Sequence, residues 1–175
     1  MKKILKTAAL ILAFVFVLSG CNKPEESDEE ENPIGYSYDM LDFAMIADEI
    51  YKGSEISALT LGSVETVTNK TTVEEQYYLD LKKVENYEIR SAEGKYGVAD
   101  IAIIHVKEGF ANDVIDSLEA RKDDRINEFR KYDVYNSYSI AMNAEIYQED
   151  ELVIMLMLDD DTKTQAHKII DSYLP

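Results

Sequence analysis

Histidine and cysteine, which serve in many catalytic and metal sites, are scarce in this 175-residue sequence, with two histidines and one cysteine. The only histidines are His105 and His167, and neither lies in an HExxH pattern or has a second histidine at helical spacing. His105 shares a predicted strand face with Ile101 and Ile103, which favours a hydrogen-bonded strand residue over a ligand. His167 is expected to be solvated. The seven glycines form no phosphate-binding loop. We therefore expect no metal, no cofactor and no Ser-His catalysis.

Arg121 and Arg125 are the first candidates for binding chemistry. They follow Leu118 by three and seven residues and so continue the helical stripe that should face a sheet. Two guanidinium groups on that face could hold a carboxylate or phosphate of a ligand. The alternative, which we favour, is that the side-chain stems pack on the core while the charged heads pair with nearby acids. The acids available on the same helix are Glu119, Asp124 and Glu128.

Three tyrosines are the second set of candidates. Tyr132, Tyr135 and Tyr138, with Asn136 and Ser137 among them, make an aromatic and polar segment typical of recognition surfaces. The chain has 12 tyrosines, however, so some clustering is expected and a packing role is the favoured interpretation. We treat all three as candidate contacts to a partner.

The acidic run at residues 159–161 could be read as a calcium loop. An EF-hand that began at Asp159 would require glycine at position 164 and glutamate at position 170, where Thr164 and Ile170 stand. The pattern fails, so capping of a following helix is the better interpretation.

The N-terminus has the layout of an export signal. Lys2, Lys3 and Lys6 form a basic head, and residues 7–17 are uncharged, almost wholly apolar and too short to span a bilayer. Residues 18–21, with the sequence LSGC, resemble the lipobox of bacterial lipoproteins, in which the cysteine receives lipid and becomes the new N-terminus. An ordinary cleaved signal with an incidental cysteine is the alternative. We expect residues 1–20 to be a signal peptide and Cys21 to carry acyl chains such as palmitate, which anchor the protein on the extracytoplasmic face of the cell membrane.

Composition limits what the exported part can be. Cys21 is the only cysteine, so no thiol remains for a disulfide or a zinc site. The formal charge of −17 becomes −20 once the three basic residues of the signal are removed, which argues against nucleic-acid binding. Residues 21–35 hold the lipidated cysteine and an acidic segment, in which residues 22–32 have no large apolar side chain, so we expect an extended tether there rather than a cation-binding tail. Residues 36–175 are expected to form a single globular domain.

Hydrophobic periodicity predicts the elements of that domain. Met40 to Tyr51 have helical spacing up to Gly53, residues 71–75 and 79–85 indicate short helical turns, and residues 54–70 do not distinguish strand from irregular structure. The remaining pattern is strand, strand, helix, repeated once: strands near 87–91, 98–106, 142–147 and 152–158, and helices near 109–131 and 160–174. We therefore expect an α+β fold, with an antiparallel sheet of about four strands, helices packed on one face, and residues 152–158 inside the sheet.

These segments together resemble a known bacterial lipoprotein family. The lipobox, the runs YEIRSA at 87–92 and DIAII at 100–104, Arg121, Tyr132 and the hairpin through Asn143 and Ala144 are similar to the family described as domain of unknown function 4358, which occurs in Gram-positive bacteria. The resemblance covers residues 38–174. It implies no catalytic residue, cofactor or ligand.

Three functions are compatible with these observations. The favoured one is a lipid-anchored, non-enzymatic module that binds a protein or another component of the cell envelope, because an anchor and a tether are present without a catalytic constellation. An envelope hydrolase that uses paired carboxylates is the second. A small-ligand receptor is the third, disfavoured because about 140 residues cannot build a two-lobed clamp.

Overall fold

The computed structural model describes residues 37–53, 64–92 and 94–174. All of them fall within one unit, Gly35–Pro175. The predicted signal peptide, Cys21 and the acidic tether lie outside the described residues, and so do residues 54–63 of the segment whose structure the sequence left open.

Five strands form one open sheet in which all neighbouring pairs are antiparallel. The strands are β1 (Val64–Thr66), β2 (Val84–Ala92), β3 (Asp100–Val106), β4 (Glu145–Glu149) and β5 (Leu152–Met157). Their order across the sheet is β1-β2-β3-β5-β4. The apolar strands β3 and β5 therefore each have a neighbour on both sides, as predicted for segments whose exposed edges would aggregate.

Within the residues that the structure describes, five α-helices cover this sheet. They are α1 (Phe43–Gly53), α2 (Lys70–Gln76), α3 (Ala111–Phe129), α4 (Ser137–Met142) and α5 (Asp160–Tyr173). Three short 3-10 turns accompany them, at Tyr38–Met40, Leu81–Lys83 and Gly94–Tyr96.

The two faces of the sheet bury separate cores. Ile101 and Ile103 of β3 pack with residues of α1 and α5 on what we call the α1 face. Ala102 and Ile104 alternate with them and pack with residues of α2, α3 and α4 on the α3 face. The side chains of β5 alternate in the same way, so each central strand is buried along its whole length.

The α+β class and the antiparallel sheet are confirmed, but two details of the prediction differ from the structure. There are five strands rather than about four, because β1 forms at the end of the undecided segment. Helices cover both faces rather than one. The physical reason lies in β3 and β5, whose apolar side chains point in both directions and need cover on both sides.

The strand predicted from Met142 is also displaced. Residues 137–142 form α4, and β4 begins only at Glu145. Ser137 and Ala141 are buried one helical turn apart, whereas Met142 is 48% exposed. Of the alternating residues Met142, Ala144 and Ile146, Met142 therefore belongs to a helix and only Ile146 lies in the strand.

Candidate functional site

Asp100 is a fully buried carboxylate at the start of β3. Its position in the strand places it on the α3 face, in register with Ala102 and Ile104. Its Oδ1 accepts a hydrogen bond from the backbone N–H of Ala92 at 3.2 Å, at the end of the neighbouring strand β2. A buried charge of this kind is stable only if cations and donors surround it.

Arg121 of α3 is one of those cations. It is only 8% exposed, and its Nη2 lies 3.2 Å from Asp100 Oδ2 and 3.4 Å from Ser91 Oγ. Its guanidinium lies 4.7 Å from the ring centroid of Tyr77, a cation–π contact. Burial lowers the pKa of Arg121, but Asp100 and Tyr77 together outweigh it and the net direction is upward, so the side chain stays charged.

Arg125 lies one helical turn further along α3 and is the second cation. Its Nε is 3.3 Å from Asp100 Oδ2, and its Nη1 donates to Glu128 Oε2 at 2.7 Å. Its Nη2 donates to the backbone carbonyls of Ala92 at 3.1 Å and Gly97 at 3.3 Å. Arg125 therefore ties the connection between β2 and β3 to α3, in addition to neutralising Asp100.

The backbone of this connection depends on Gly97. Its φ is +98°, a left-handed conformation in which a side chain is strained. A Cβ at this position would also lie 2.8 Å from Ser137 Oγ and 3.5 Å from Tyr135 Cδ2. Glycine thus lets the β2–β3 connection approach the start of α4 closely.

The structure shows which acidic side chains pair with Arg121 and Arg125. Of the three acids proposed as partners, only Glu128 contacts them, through Arg125. Glu119 instead lies 3.8 Å from Lys122, and Asp124 accepts a hydrogen bond from the hydroxyl of Tyr78. The principal partner, Asp100, was not predicted. The sequence signal for it is a carboxylate within the strand segment 98–106, whose other residues are nearly all apolar.

Tyr77 completes this buried cluster. Its side chain is fully buried, and burial together with the charge of Asp100 raises the pKa of Tyr77 to about 12. The phenol is therefore neutral at physiological pH.

A pocket of about 580 Å³ opens beside the two arginines. Its volume falls within the range of small-molecule sites. Among the described residues its wall is mainly hydroxyl and amide groups, with two carboxylates. The lining residues are Glu65, Thr66, Val67, Thr68, Asn69, Thr72, Gln76, Ser91, Ala92, Gly94, Arg121, Arg125 and Glu128. The sequence did not reveal this wall, because part of it comes from the segment that it left undecided.

The three candidate tyrosines occupy different environments. Tyr132 and Tyr135 are 69% and 60% exposed, whereas Tyr138 is half-buried and packs against the core of the α3 face. Tyr135 and Asn136 have φ values of 52° and 63°, in the left-handed region. The structure therefore supports a packing role for Tyr138 and leaves Tyr132 and Tyr135 on the surface.

The histidines and the acidic run have structural partners. His105 is buried, with Nε2 3.0 Å from Glu151 Oε2, and His167 is half-exposed, with Nε2 2.7 Å from Glu145 Oε2. Asp159 caps α5, since its carboxylate accepts hydrogen bonds from the backbone N–H and hydroxyl of Thr162, both at 2.9 Å. The capping interpretation is thus confirmed. Across residues 37–53, 64–92 and 94–174 no group of three or more His, Cys, Asp or Glu side chains is arranged to hold a metal ion.

The fold and the site define an α+β domain with a helix-covered antiparallel sheet and a polar pocket that two buried arginines line. The family model described as "Domain of unknown function (DUF4358)" matches residues 57–158, and the chain belongs to this family. Searches of curated proteins and of solved structures found no match. In the part of the chain that the structure describes, none of the helices has the length and hydrophobicity needed to cross a membrane.

Proposed function

We propose that this chain is a lipid-anchored, extracytoplasmic lipoprotein whose folded domain is a non-enzymatic binding module of the cell envelope. The lipobox-like LSGC sequence at residues 18–21 and the acidic tether support the anchor. An exposed aromatic surface on the domain supports the binding role.

That surface, which we call the tyrosine surface, consists of Tyr96, Tyr132 and Tyr135, and it carries the proposal. All three side chains are at least 40% exposed. A Cβ at Gly97 would lie 3.5 Å from Cδ2 of Tyr135, so the residue that follows Tyr96 in the chain runs beside the Tyr135 ring. Tyrosines are enriched at interfaces because each offers a large apolar area together with a hydroxyl group.

The backbone at Tyr135 strengthens this interpretation. A bulky residue with positive φ costs on the order of 1–3 kcal/mol. Burial of the ring does not offset this cost, because Tyr135 is 60% exposed. The exposed ring at a strained position favours recognition over packing for Tyr135, whereas the hydroxyl of Tyr78, which also has positive φ, donates to Asp124.

The anchor is tested by fractionating cells that express Cys21→Ala. We expect this variant to be lost from washed membranes, because it has no thiol to receive lipid. Ser27→Ala, a change in the acidic tether, is the matched control and should stay in the membrane fraction. Equal membrane retention of both variants would exclude lipid anchoring.

The binding role is tested by crosslinking in intact cells, followed by mass spectrometry of the captured species. We expect crosslinks on the tyrosine surface that disappear with Tyr135→Asn, because asparagine tolerates the left-handed backbone but removes the ring. The matched control is Tyr78→Asn, since Tyr78 also has positive φ (58°) and is exposed, but its hydroxyl bonds to Asp124. The proposal fails if both variants retain the same crosslinks, or if both lose them.

A further inference from the structure

The polar pocket beside α3 is a second possible binding site, separate from the tyrosine surface. Its most unusual feature is Arg121, a cation with nine-tenths of its side chain buried that also lines an open cavity. Its contacts with Asp100 and Tyr77 hold the guanidinium in place before any ligand arrives. A ligand that binds there would not have to immobilise a flexible side chain.

Arg121 also has donors to spare. A guanidinium has five N–H donors. Both hydrogen bonds that Arg121 makes to described residues start from Nη2, so its Nη1 is the donor left for a ligand. The Nε atoms of Arg121 and Arg125 are both buried without a hydrogen bond to a described residue. Arg125 differs at Nη1 and Nη2, which bind Glu128, Asp100 and two backbone carbonyls.

The distribution of charges around the pocket also favours Arg121 as the cation that a ligand would contact. Asp100 is shared between Arg121 and Arg125, and Arg125 is additionally neutralised by Glu128. The positive charge of Arg121 is therefore only partly compensated. Glu65, which also lines the pocket, adds a negative charge, which disfavours ligands that carry several negative charges.

The neutral part of the wall indicates what else the ligand carries. Thr66, Thr68, Thr72 and Ser91 contribute hydroxyl groups that can donate and accept hydrogen bonds. Such a wall is matched by a hydroxylated body rather than by an alkyl chain. We propose that the pocket binds a small, hydroxylated monocarboxylate of the sugar-acid class, with its carboxylate on Arg121.

The test uses glucuronate as the probe and the full chain purified in detergent micelles. Titration is followed by calorimetry and by the Nε–H signal of Arg121 in nitrogen-15 NMR. We expect saturable binding and a shift of this signal. Methyl glucoside, which has the hydroxyl groups but no carboxylate, should bind far more weakly. Absence of saturation with glucuronate, or equal binding of methyl glucoside, overturns the proposal.

Two pairs of variants leave the Asp100 cluster intact. Thr72→Glu places a negative charge in the pocket and should weaken glucuronate binding about tenfold. Thr71→Glu, on the exposed side of the same helical turn, is its control and should change binding by less than about twofold.

Glu65→Gln removes a negative charge from the pocket wall and should tighten glucuronate binding about two- to threefold. Glu74→Gln, outside the pocket, is its control and should leave the affinity for glucuronate unchanged.

All four variants change half-buried or exposed residues, so they should fold, which circular dichroism verifies. If Thr72→Glu and Thr71→Glu weaken binding equally, glucuronate does not bind in the pocket and the proposal is wrong. This result would not touch the tyrosine surface, whose crosslinks depend on Tyr135 and not on Thr72.

Discussion

Strand β3 carries a charged cluster at each end, and the two clusters lie on opposite faces of the sheet. At its start, Asp100 is completely buried and its partners are two arginines. Near its end, His105 is buried but lies 3.0 Å from Glu151 and 3.5 Å from Asp39, whose side chains are 59% and 75% exposed.

The difference is between a cluster whose charges are all buried around Asp100 and one whose carboxylates are solvated. Arginine stays charged at every physiological pH, so the Asp100 cluster keeps its geometry and can serve as the fixed floor of a pocket. The His105 cluster differs, because its two carboxylate partners, Asp39 and Glu151, are largely exposed to water. His105 holds the Tyr38–Met40 turn, where the chain enters the domain, through Asp39 and through a tilted ring contact with Tyr38.

The largest effect is expected for Asp100→Ala. This change leaves two buried guanidinium groups without their shared counter-ion, and removal of one member of a buried ion pair costs about 3–5 kcal/mol. Chemical denaturation followed by circular dichroism should show a loss of this size in the free energy of unfolding. Asp116→Ala, an exposed acid on α3, is the control and should lower stability by less than about 0.5 kcal/mol. Equal losses for both variants would mean that Asp100 is not the centre of the cluster.

Part of this cluster was predictable from the sequence. The spacing of Arg121 and Arg125 after Leu118 places both on the buried side of α3, and the structure confirms this position. Their partner was not predictable, because Asp100 lies 21 residues before Arg121 and strand pairing brings them together. A helical spacing rule finds only acids on the same helix, and it therefore favoured Glu119 and Asp124, which have other partners.

The fold, like the cluster, was predictable from the sequence only where local patterns determine the structure. Residues 98–106 and 152–158 have patterns strong enough to predict internal strands, and residues 160–173 form a helix capped by Asp159 as expected. The position of α1 on the second face depends on contacts between distant segments, which local periodicity does not encode. The apolar character of both sides of β3 was nevertheless a signal that both faces are covered.

A smaller effect is expected for His105→Leu. The leucine keeps the apolar contact with Tyr38 but loses the hydrogen bond to Glu151, which should lower the free energy of unfolding by about 1 kcal/mol. Hydrogen exchange should show faster opening of the Tyr38–Met40 turn, while the amides near Asp100 keep their protection. Loss of protection at both ends of β3 would show that the two clusters are not independent.

The smallest effect on stability is expected for a change at Glu145, which lies on the edge strand β4. Its pair with His167 tests how much a solvated histidine–carboxylate contact contributes to the free energy of unfolding. The hydrogen bond from His167, with a further contribution from Lys163, lowers the pKa of Glu145. A lowered folded-state pKa adds stability above the unfolded-state value of about 4.3, and this stability is lost as the pH falls through the lower folded-state value.

Glu145→Gln should therefore cost a few tenths of a kcal/mol at about pH 5, because the pair is at the surface, and less at about pH 3. Denaturation curves at both pH values measure this difference. Glu149→Gln, at an exposed position of the same strand, is the matched control. A cost for Glu145→Gln that persists at the lower pH would mean that the glutamate acts through packing, and the contrast between buried and solvated charge clusters would then not extend to this edge of the sheet.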